Sequence, residues 1–596
     1  MRQTTSASMD PRQVRWIRVR VLLLGFAFAP IFAALAWRAA DLQINERKKL
    51  ESLARDQYLR QVTLPGRRGA INDRRGGPLA ATVDVDSIYI DPTELPNPHQ
   101  AAQQLAKTLK LDAHKLESSF GGGRQFAWIK RRVTPQEVEA VKALKLPGIA
   151  FAREPRRFYP QRELAAHVLG FAGMDGDGLE GVEKAFDKQL KGRPQPLAGL
   201  RDARGRALFL DGVVPAQELE GSSVTLTIDR AIQYQAEKAL ATAVQKAQAA
   251  TGMAVVLDPA TGEILALANV PTFNPNDPSR SPRHAMRNRA VTDQFEPGST
   301  FKIFTISAAL EEKVVKPTDT VYAEGGHYKV GRHTIHDHGR YEHIDIGKVM
   351  QVSSNIGTTK IAEKLGREKL AAYHRAFGFG ERPGTGLQGE ARGALPFPRG
   401  AIELATQSYG QGLAVSALQL TAAVGAVANG GVLMRPFLVS KVVDPSGAVV
   451  FERGPEQVRQ VISQRTSVEV LKMMQRVVQK EGTAPLARMD DYLVAGKTGT
   501  AQKPDPSGGY SPDKRTASFV GVVPADRPRL VILVVIDEPK TDVYGGVLAA
   551  PAFKEIAQFA LAHLGVTPAN GGTPPQIAQK PEDPEFSANR ARMLGA

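Results

Sequence analysis

The chain of 596 residues contains no cysteine and only three tryptophans. The absence of cysteine excludes a disulfide framework, a thiolate zinc site and a cysteine nucleophile, although it does not identify the redox compartment. Aromatic residues make up 6% of the chain, and no compact segment combines basic and aromatic side chains as nucleic-acid-binding modules do. We therefore expect no nucleic-acid partner.

The sequence is long and carries more basic than acidic residues. The chain is too long for one hydrophobic core, so two or more folded units are expected. It carries 77 basic residues against 61 acidic ones, a formal net charge of +16. Such a charge favours anionic neighbours such as phospholipid headgroups or acidic cell-wall polymer.

A long apolar run lies near the N-terminus. It covers residues 21–37, follows arginines at positions 2, 12, 15, 18 and 20, and is closed by Arg38. Its length predicts one membrane-spanning helix over residues 21–40, and the arginines predict a cytoplasmic basic tail over residues 1–20. A cleaved signal sequence is the alternative, because residues 34–36 have the form of a cleavage site. In both cases the rest of the chain is exported.

The exported part divides near residue 220. Residues 41–220 begin with a polar helix and continue with short strands, turns and helices, and no group of titratable side chains suggests a site there. We predict a stalk or docking domain, of the kind that also mediates dimerisation, over this range. Residues 567–596 are polar and rich in proline, which predicts a disordered tail.

Apolar runs predict the fold of residues 221–566. A strand leads through Asp229 into a helix, two strands flank the turn at residues 258–262, and three more strands lie between residues 492 and 538. Helix-like apolar segments fill the interval and the end, at residues 299–312, 345–365, 413–429 and 551–564. Strands at both ends of a helical middle exclude a simple βαβ repeat. They predict an α+β domain with a mainly antiparallel sheet covered by helices.

The segment QFEPGSTFKIFTISAAL, residues 294–310, places Lys302 among apolar side chains three residues after Ser299. In a helix these positions share a face, so the serine hydroxyl and the lysine amine can come within hydrogen-bond distance. Burial lowers the pKa of a lysine, and a neutral amine can take the serine proton. The pattern thus suggests a nucleophile and its base. Alone it is weak, because a helix cap followed by a solvent-seeking lysine looks the same.

A second polar pattern occurs in VMQVSSNIGTTKIA. It puts Ser353 and Asn355 at a boundary between a loop and a helix, where a polar cap is the ordinary explanation.

A third pattern, AGKTGTAQ, carries Lys497, Thr498, Gly499 and Thr500 on a candidate strand. Glycine weakens a strand unless another group must approach the backbone closely. A strand edge with a lysine, two hydroxyls and a bare glycine suits an extended peptide that ends in a carboxylate.

In this order the three patterns resemble the motif set of penicillin-binding proteins and class A β-lactamases. The likeness extends to RRGAINDRRGGPLA, RRFYPQRELAAHVLGF, GLEGVEKAFD, SYGQGLAVSALQL and DEPKTDVYGGVLAAPAF, and covers about residues 15–566. The chain resembles the class B penicillin-binding proteins, and within them the division-specific peptidoglycan D,D-transpeptidases of Gram-negative-type bacteria. This resemblance implies a transpeptidase domain of the penicillin-binding and β-lactamase type over residues 221–566.

The resemblance also implies the site residues, namely a catalytic group of Ser299, Lys302, Ser353, Asn355 and Lys497 and a substrate-binding group of Thr498, Gly499 and Thr500. Ser299 would be acylated, with Lys302 as its base. Ser353 and Asn355 would relay protons and bind substrate, in one polar network with Lys497. The two threonines would hold the terminal carboxylate, and the backbone N–H groups of Ser299 and Thr500 would form the oxyanion hole.

The implied reaction is acyl transfer between peptidoglycan stem peptides. The serine attacks a D-Ala-D-Ala bond, D-Ala leaves, and the amine of a neighbouring stem peptide takes the acyl group. No cofactor is needed, and β-lactams would acylate the same serine. The resemblance places the protein in the inner (cytoplasmic) membrane at the division site, with its catalytic domain in the periplasm. Its implied partners are a polytopic glycan polymerase and other membrane proteins of division, contacted through residues 15–220.

Three alternatives remain beside septal cross-linking. An elongation-type transpeptidase of the same class would share every motif. A D,D-carboxypeptidase or β-lactamase would pass the acyl group to water, but neither needs a membrane anchor or a long N-terminal domain. A β-lactam sensor or a division scaffold would carry the site as a vestige.

The segment GGHYKVGRHTIHDHGRYEH contains five histidines, His327, His333, His336, His338 and His343. Such clusters can bind zinc. No other class of ligand and no metalloprotease spacing accompanies them, so we expect no functional metal.

Overall fold

The computed structural model describes residues 11–121, 126–201, 207–210, 215–505 and 507–568. Residues 1–10 of the predicted basic tail and residues 569–596 of the predicted disordered tail lie outside this part. The described chain forms two compact units. The smaller unit contains residues 11–65 and 194–219, and the larger one contains residues 66–193 and the chain from 220 onward.

The smaller unit begins with the long helix Pro11–Ala40, in which no residue is buried. Together with the π-helical turn Asp41–Asn45 it is, within the described residues, the one helix long and apolar enough to cross a membrane, with a hydropathy of 2.2. This is the helix that the predicted anchor requires. The unit also contains the helices Arg47–Tyr58 and Ala216–Leu219 and an antiparallel sheet of the strands Leu59–Leu64, Gln195–Arg201 and Ala207–Leu210.

The larger unit is a mixed α+β structure. Its helices of seven or more residues are Pro98–Leu109, Ala113–Ser119, Pro135–Ala143, Arg230–Ala247, Lys302–Glu311, Ile346–Val352, Asn355–Leu365, Arg367–Ala376, Ala401–Ser408, Ala417–Ala428, Gln464–Val477 and Ala550–His563. Its strands outside the central sheet are Ile71–Asn72, Pro78–Ile90, Ala127–Lys130, Ile149–Phe158, Ser223–Leu226, Thr320–Tyr322, His327–Val330, His333–His336, His343–Asp345, Val432–Met434, Val439–Val443, Val449–Glu452 and Gln457–Gln460.

The central sheet has five strands, all antiparallel, in the spatial order Ile264–Val270, Thr251–Leu257, Leu530–Asp537, Tyr510–Val523 and Ala495–Pro504. The first two strands form the hairpin predicted around residues 258–262. The helices Arg230–Ala247 and Ala550–His563 pack on each other and on the sheet, and the buried helix Ala417–Ala428 also packs on it. The predicted fold class is confirmed, since the sheet is closed by elements from both ends of the domain.

The predicted domain boundary near residue 220 falls within a continuous sheet. Strand Ile71–Asn72 pairs in parallel with Ser223–Leu226, so the segments on either side of residue 220 share backbone hydrogen bonds. Close by, the Glu183 carboxylate is fully buried and accepts hydrogen bonds from Arg68, from Arg157 and from the Tyr159 hydroxyl. A buried charge is tolerated only when it is paired in this way. Residues 66–193 therefore belong to one compact unit with the chain beyond residue 220.

Candidate active site

Ser299 lies in a tight turn that leads into a helix. The 3₁₀ turn Gly298–Phe301, which we call the Ser299 turn, is followed directly by the helix Lys302–Glu311. Gly298 has a φ of +55°, a left-handed backbone that glycine adopts without strain. Ser299 is half-buried, and among the hydrogen bonds of the described residues none involves its hydroxyl.

Lys302 is fully buried at the first position of that helix. Its Nζ donates to the backbone carbonyl of Ser353, to Ser353 Oγ at 3.1 Å and to Asn355 Oδ1 at 2.7 Å. Among the hydrogen bonds of the described residues, none joins Lys302 Nζ to Ser299. Burial lowers the pKa of Lys302 to about 7, and the charge of Asp337 offsets part of this effect.

Ser353 connects two lysines. Its Oγ accepts from Lys302 Nζ and from Lys497 Nζ, the latter at 2.9 Å. Lys497 is also fully buried, and both burial and the charge of Lys302 hold its pKa well below the usual value. Two ammonium groups on one hydroxyl repel each other, so the pair carries fewer than two charges near neutral pH. A neutral lysine amine in this hydrogen-bonded group can accept a proton.

The backbone of Ser353 explains why the predicted helix 345–365 is divided in two. Ser353 has a φ of 61° and ends the helix Ile346–Val352, while Ser354 caps the helix Asn355–Leu365. A left-handed backbone at a residue other than glycine costs about 1 kcal/mol or more, and it persists only where other contacts hold it. Here the Ser353 carbonyl is held by Lys302 Nζ.

Asp337 holds the start of the second helix. Its carboxylate accepts hydrogen bonds from Ser354 Oγ and from the backbone N–H groups of Asn355 and Ile356, the last at 3.1 Å. The Asn355 side chain in turn donates to the backbone carbonyl of His336 at 2.9 Å. Sequence reasoning missed Asp337, because an aspartate among five histidines gives no sign of what it contacts. It holds the backbone of Asn355, whose side chain accepts a hydrogen bond from Lys302 Nζ.

Lys497, Thr498, Gly499 and Thr500 lie on Ala495–Pro504, the outer strand of the central sheet, which we call the edge strand. A Cβ at Gly499 would lie 2.3 Å from Ser518 Oγ and 2.8 Å from the Pro297 carbonyl oxygen. The glycine is therefore required by the close approach of the segment leading into the Ser299 turn. The sequence predicted a close approach but attributed it to a bound peptide.

The two threonines of the edge strand differ in their contacts. The Thr498 hydroxyl is almost buried and lies 2.8 Å from the Thr483 hydroxyl. The Thr500 side chain is half-buried and forms no hydrogen bond within the described residues. The Thr500 carbonyl also lies close to Gly298, since a Cβ there would be 3.1 Å from it. The edge strand and the Ser299 turn thus lie side by side.

The segment SYGQG, residues 408–412, is hydrogen-bonded to the Ser299 turn and to the helix that follows it. The Gly298 N–H donates to the Gly410 carbonyl at 3.0 Å, and Thr305 Oγ1 donates to the Ser408 carbonyl at 2.7 Å. Gly410 has a φ of +84°, and a Cβ there would lie 2.2 Å from the Gly298 carbonyl oxygen, so only glycine fits. Residues 408–410 therefore hold the Ser299 turn and the helix that follows it.

The structure brings all eight predicted site residues together where the Ser299 turn and residues 353–355 meet the edge strand. An unbonded serine hydroxyl, two buried lysines of lowered pKa and an open strand edge define a serine enzyme that transfers acyl groups of peptides. The role of each residue in that chemistry stays a prediction.

Two family models match the chain. The penicillin-binding protein transpeptidase domain matches residues 252–558, and the penicillin-binding protein dimerisation domain matches residues 63–226. The chain belongs to the family of penicillin-binding proteins with a transpeptidase domain. This confirms the predicted resemblance to class B penicillin-binding proteins and the predicted class of enzyme, a serine-type transpeptidase.

Named relatives and solved structures agree with this membership. The chain is 36% identical over 556 residues to the probable peptidoglycan D,D-transpeptidase PenA of Neisseria meningitidis, covering 92% of this chain and 93% of the relative. It is 34% identical over 580 residues to the peptidoglycan D,D-transpeptidase FtsI of Escherichia coli K12, covering 95% of each. Penicillin-binding protein 3 of Mycobacterium tuberculosis, solved with aztreonam, superposes with a TM-score of 0.66 at 30% identity, over 86% of this chain and 99% of that one.

Proposed function

We propose that this protein is a peptidoglycan D,D-transpeptidase that cross-links stem peptides through an acyl-enzyme on Ser299. The observation that carries the proposal is the chain of hydrogen bonds from Lys302, three residues after Ser299, through Ser353 to Lys497, in which both lysines are fully buried. This chain can move a proton within the cleft without water.

The edge strand supports the binding of an extended peptide. A stem peptide aligned along Ala495–Pro504 would add a strand to the central sheet, with main-chain hydrogen bonds supplying affinity. In this proposal the hydroxyls of Thr498 and Thr500 hold its terminal carboxylate, and Lys497 Nζ lies 3.5 Å from Thr498 Oγ1. No metal and no nucleotide take part in this arrangement.

Acylation then follows from the proton chain. Lys302 in its neutral form takes the proton of Ser299, and Ser299 Oγ attacks the carbonyl carbon of the D-Ala-D-Ala bond. The backbone N–H groups of Ser299 and Thr500 stabilise the negative oxygen that forms. When the C–N bond breaks, the departing D-Ala amine takes a proton that passes through Ser353. Lys302 is neutral again at the end of the step.

Transfer completes the cross-link. The amine of a second stem peptide attacks the ester carbon, loses a proton to the same network and forms a new peptide bond, while Ser299 regains its hydroxyl proton. β-Lactams acylate Ser299 in the same way but remain attached.

Labelling with a fluorescent penicillin tests the proposed nucleophile. We expect the wild type to be labelled and Ser299→Ala to remain unlabelled. Ser307→Ala is a matched control, because Ser307 is buried in the helix after Ser299 and its hydroxyl only bonds the Ile303 carbonyl. Persistent labelling of Ser299→Ala would mean that another residue is the nucleophile.

We further propose that cross-linking occurs at the septum and that the chain is anchored in the inner membrane with its N-terminus in the cytoplasm. Support comes from the exposed apolar helix Pro11–Ala40, from the arginines before its apolar part, and from likeness to the relative named FtsI. The division partners, a polytopic glycan polymerase among them, would be contacted through residues 15–220.

Depletion of the protein in its host tests the septal role against elongation. Filamentous cells would support a role in division, whereas rounded cells would assign the protein to elongation. Complementation by Ser299→Ala tests the scaffold alternative, since cells that divide and cross-link on that variant alone would exclude a catalytic role.

A further inference from the structure

The histidines of residues 327–343 have no part in the proposed reaction, yet two of them meet. His327 and His336 stand opposite each other on the antiparallel strands His327–Val330 and His333–His336, which we call the His hairpin. Their Nδ1 atoms are joined by a hydrogen bond of 3.0 Å, and both side chains are exposed. His333 stands opposite Val330 at the other end of the hairpin and has no histidine opposite it.

We propose that His327 and His336 form a binding site for a divalent transition-metal ion, with both Nδ1 atoms as ligands and water in the remaining positions. Imidazole nitrogens bind such ions at about 2.0 to 2.1 Å. Two such nitrogens at a right angle around an ion are about 3 Å apart, which matches the 3.0 Å between His327 Nδ1 and His336 Nδ1. Right angles are typical of the square-planar and octahedral coordination of Cu²⁺ and Ni²⁺, so these ions fit better than tetrahedral Zn²⁺.

The site has two protein ligands and open positions. Within the described residues no group of three or more His, Asp or Glu side chains could hold a metal ion. We expected no metal from the sequence because of the same shortage of ligands. The sequence does not show that two of the five histidines are paired across a hairpin. Exposure lets both rings turn toward an ion without moving the backbone.

The His hairpin is in contact with the active site. On its inner face, Val330 and Ile335 pack with Ile356 of the helix that begins at Asn355. At its end, the His336 carbonyl accepts the hydrogen bond from Asn355 Nδ2. A metal that ties both strands together therefore acts on the residue that bonds Lys302. We expect bound metal to slow acylation of Ser299 severalfold.

Titration calorimetry with Ni²⁺ or Cu²⁺ on the full chain without a polyhistidine tag tests the site. We expect one ion per chain in the wild type and at least tenfold weaker binding in His327→Ala. His333→Ala is the matched control, because it removes an exposed histidine from the same hairpin, and we expect wild-type binding. Binding should weaken at lower pH because protons compete for the nitrogens. Equal binding by all three proteins, or none by the wild type, would overturn the proposal.

Acylation rates measured with and without the metal test the coupling. His327→Ala and His333→Ala should both react with penicillin like the wild type in the presence of a chelator, which also shows that they are folded. Added Ni²⁺ should slow the wild type and His333→Ala but not His327→Ala. If the metal binds but the acylation rate does not change, the proposed metal site stands and the proposed effect of the metal on acylation is wrong. Neither result depends on the septal role, and labelling without metal tests the nucleophile independently.

Discussion

At the scale of single residues, the site depends on two lysines whose charges are disfavoured by burial. Lys302 and Lys497 are both fully buried and both contact Ser353 Oγ. The sequence predicted burial for Lys302 from its apolar neighbours. It did not predict that the lysine's nearest partners are Ser353 and Asn355 rather than Ser299, because that choice depends on a loop about 50 residues away.

Acylation should depend on pH through Lys302. The pKa of Lys302 is lowered to about 7, so the neutral amine that acts as base predominates above pH 7 and is lost as the pH falls. We expect the rate of reaction with penicillin to rise between pH 6 and 8 and then level off. Stopped-flow measurement of acylation gives this profile, and a flat profile over that range would contradict Lys302 as the base.

Replacing Lys302 by Arg should abolish acylation, since a guanidinium keeps its charge at every accessible pH. Lys360→Arg is the control, because Lys360 pairs with Glu324 at the surface of the helix that carries Asn355. Its rate should match that of the wild type.

Asp337→Asn tests whether this carboxylate positions Asn355. The amide keeps one acceptor oxygen but loses the charge that receives two backbone N–H groups, each such bond being worth about 1.5 to 3 kcal/mol. We expect acylation to slow about tenfold at saturating penicillin, with little change in apparent affinity.

The control for Asp337 is Asp319→Asn, since Asp319 accepts a backbone N–H from Lys316 in an exposed turn away from the cleft. A wild-type rate for Asp337→Asn would show that the other contacts of Asn355 suffice.

At the scale of elements, the edge strand and the Ser299 turn are fitted to each other. Gly499 leaves room for the Pro297 carbonyl, and Gly410 leaves room for Gly298. The sequence indicated that Gly499 is unusual within a strand, but the sequence of a strand does not show which distant segment lies against it. Only the packed structure shows that the glycine of the third motif serves the serine of the first.

Gly499→Ala should therefore displace the nucleophile. The new Cβ would lie 2.8 Å from the Pro297 carbonyl oxygen, so the segment leading into the Ser299 turn must move, and a misplacement of about 1 Å at a reacting group can cost about a hundredfold in rate. We expect acylation to fall by about that factor, with a lower melting temperature from overpacking. Gly454→Ala is the control, because a Cβ at Gly454 meets nothing within 4 Å.

A second substitution separates the two contacts at this position. Ser518→Ala in the Gly499→Ala background removes the hydroxyl that a Cβ would meet at 2.3 Å. Stability should partly return while acylation stays slow, because the Pro297 carbonyl remains in place. Full recovery of the rate would show that the Ser299 turn is not the constraint.

At the scale of the whole molecule, the predicted site residues all lie between residues 299 and 500, in the larger unit. The apolar helix Pro11–Ala40 belongs to the smaller unit and buries none of its residues. The apolar helix and the predicted site residues therefore belong to separate units of the chain.

A fragment that begins at residue 41 should leave the membrane fraction and keep its reaction with penicillin. The removed helix supplies the only long apolar surface that the described chain offers to a bilayer. Fractionation followed by labelling measures both properties. Loss of labelling in a soluble, folded fragment would show that the anchor supports the site.

The sequence by itself determined the apolar helix, the order of strands and helices around a mainly antiparallel sheet, and the three motifs. These follow from local patterns, because periodicity, turn residues and side-chain chemistry are properties of neighbours along the chain. Only the tertiary structure decided four contacts between distant segments. Lys302 bonds Ser353, and Asp337 accepts a hydrogen bond from the backbone of Asn355. Gly499 leaves room for the Pro297 carbonyl, and His327 bonds His336. Each of these contacts joins segments separated along the chain, and which segments meet is set by the packing of the whole core rather than by any local signal.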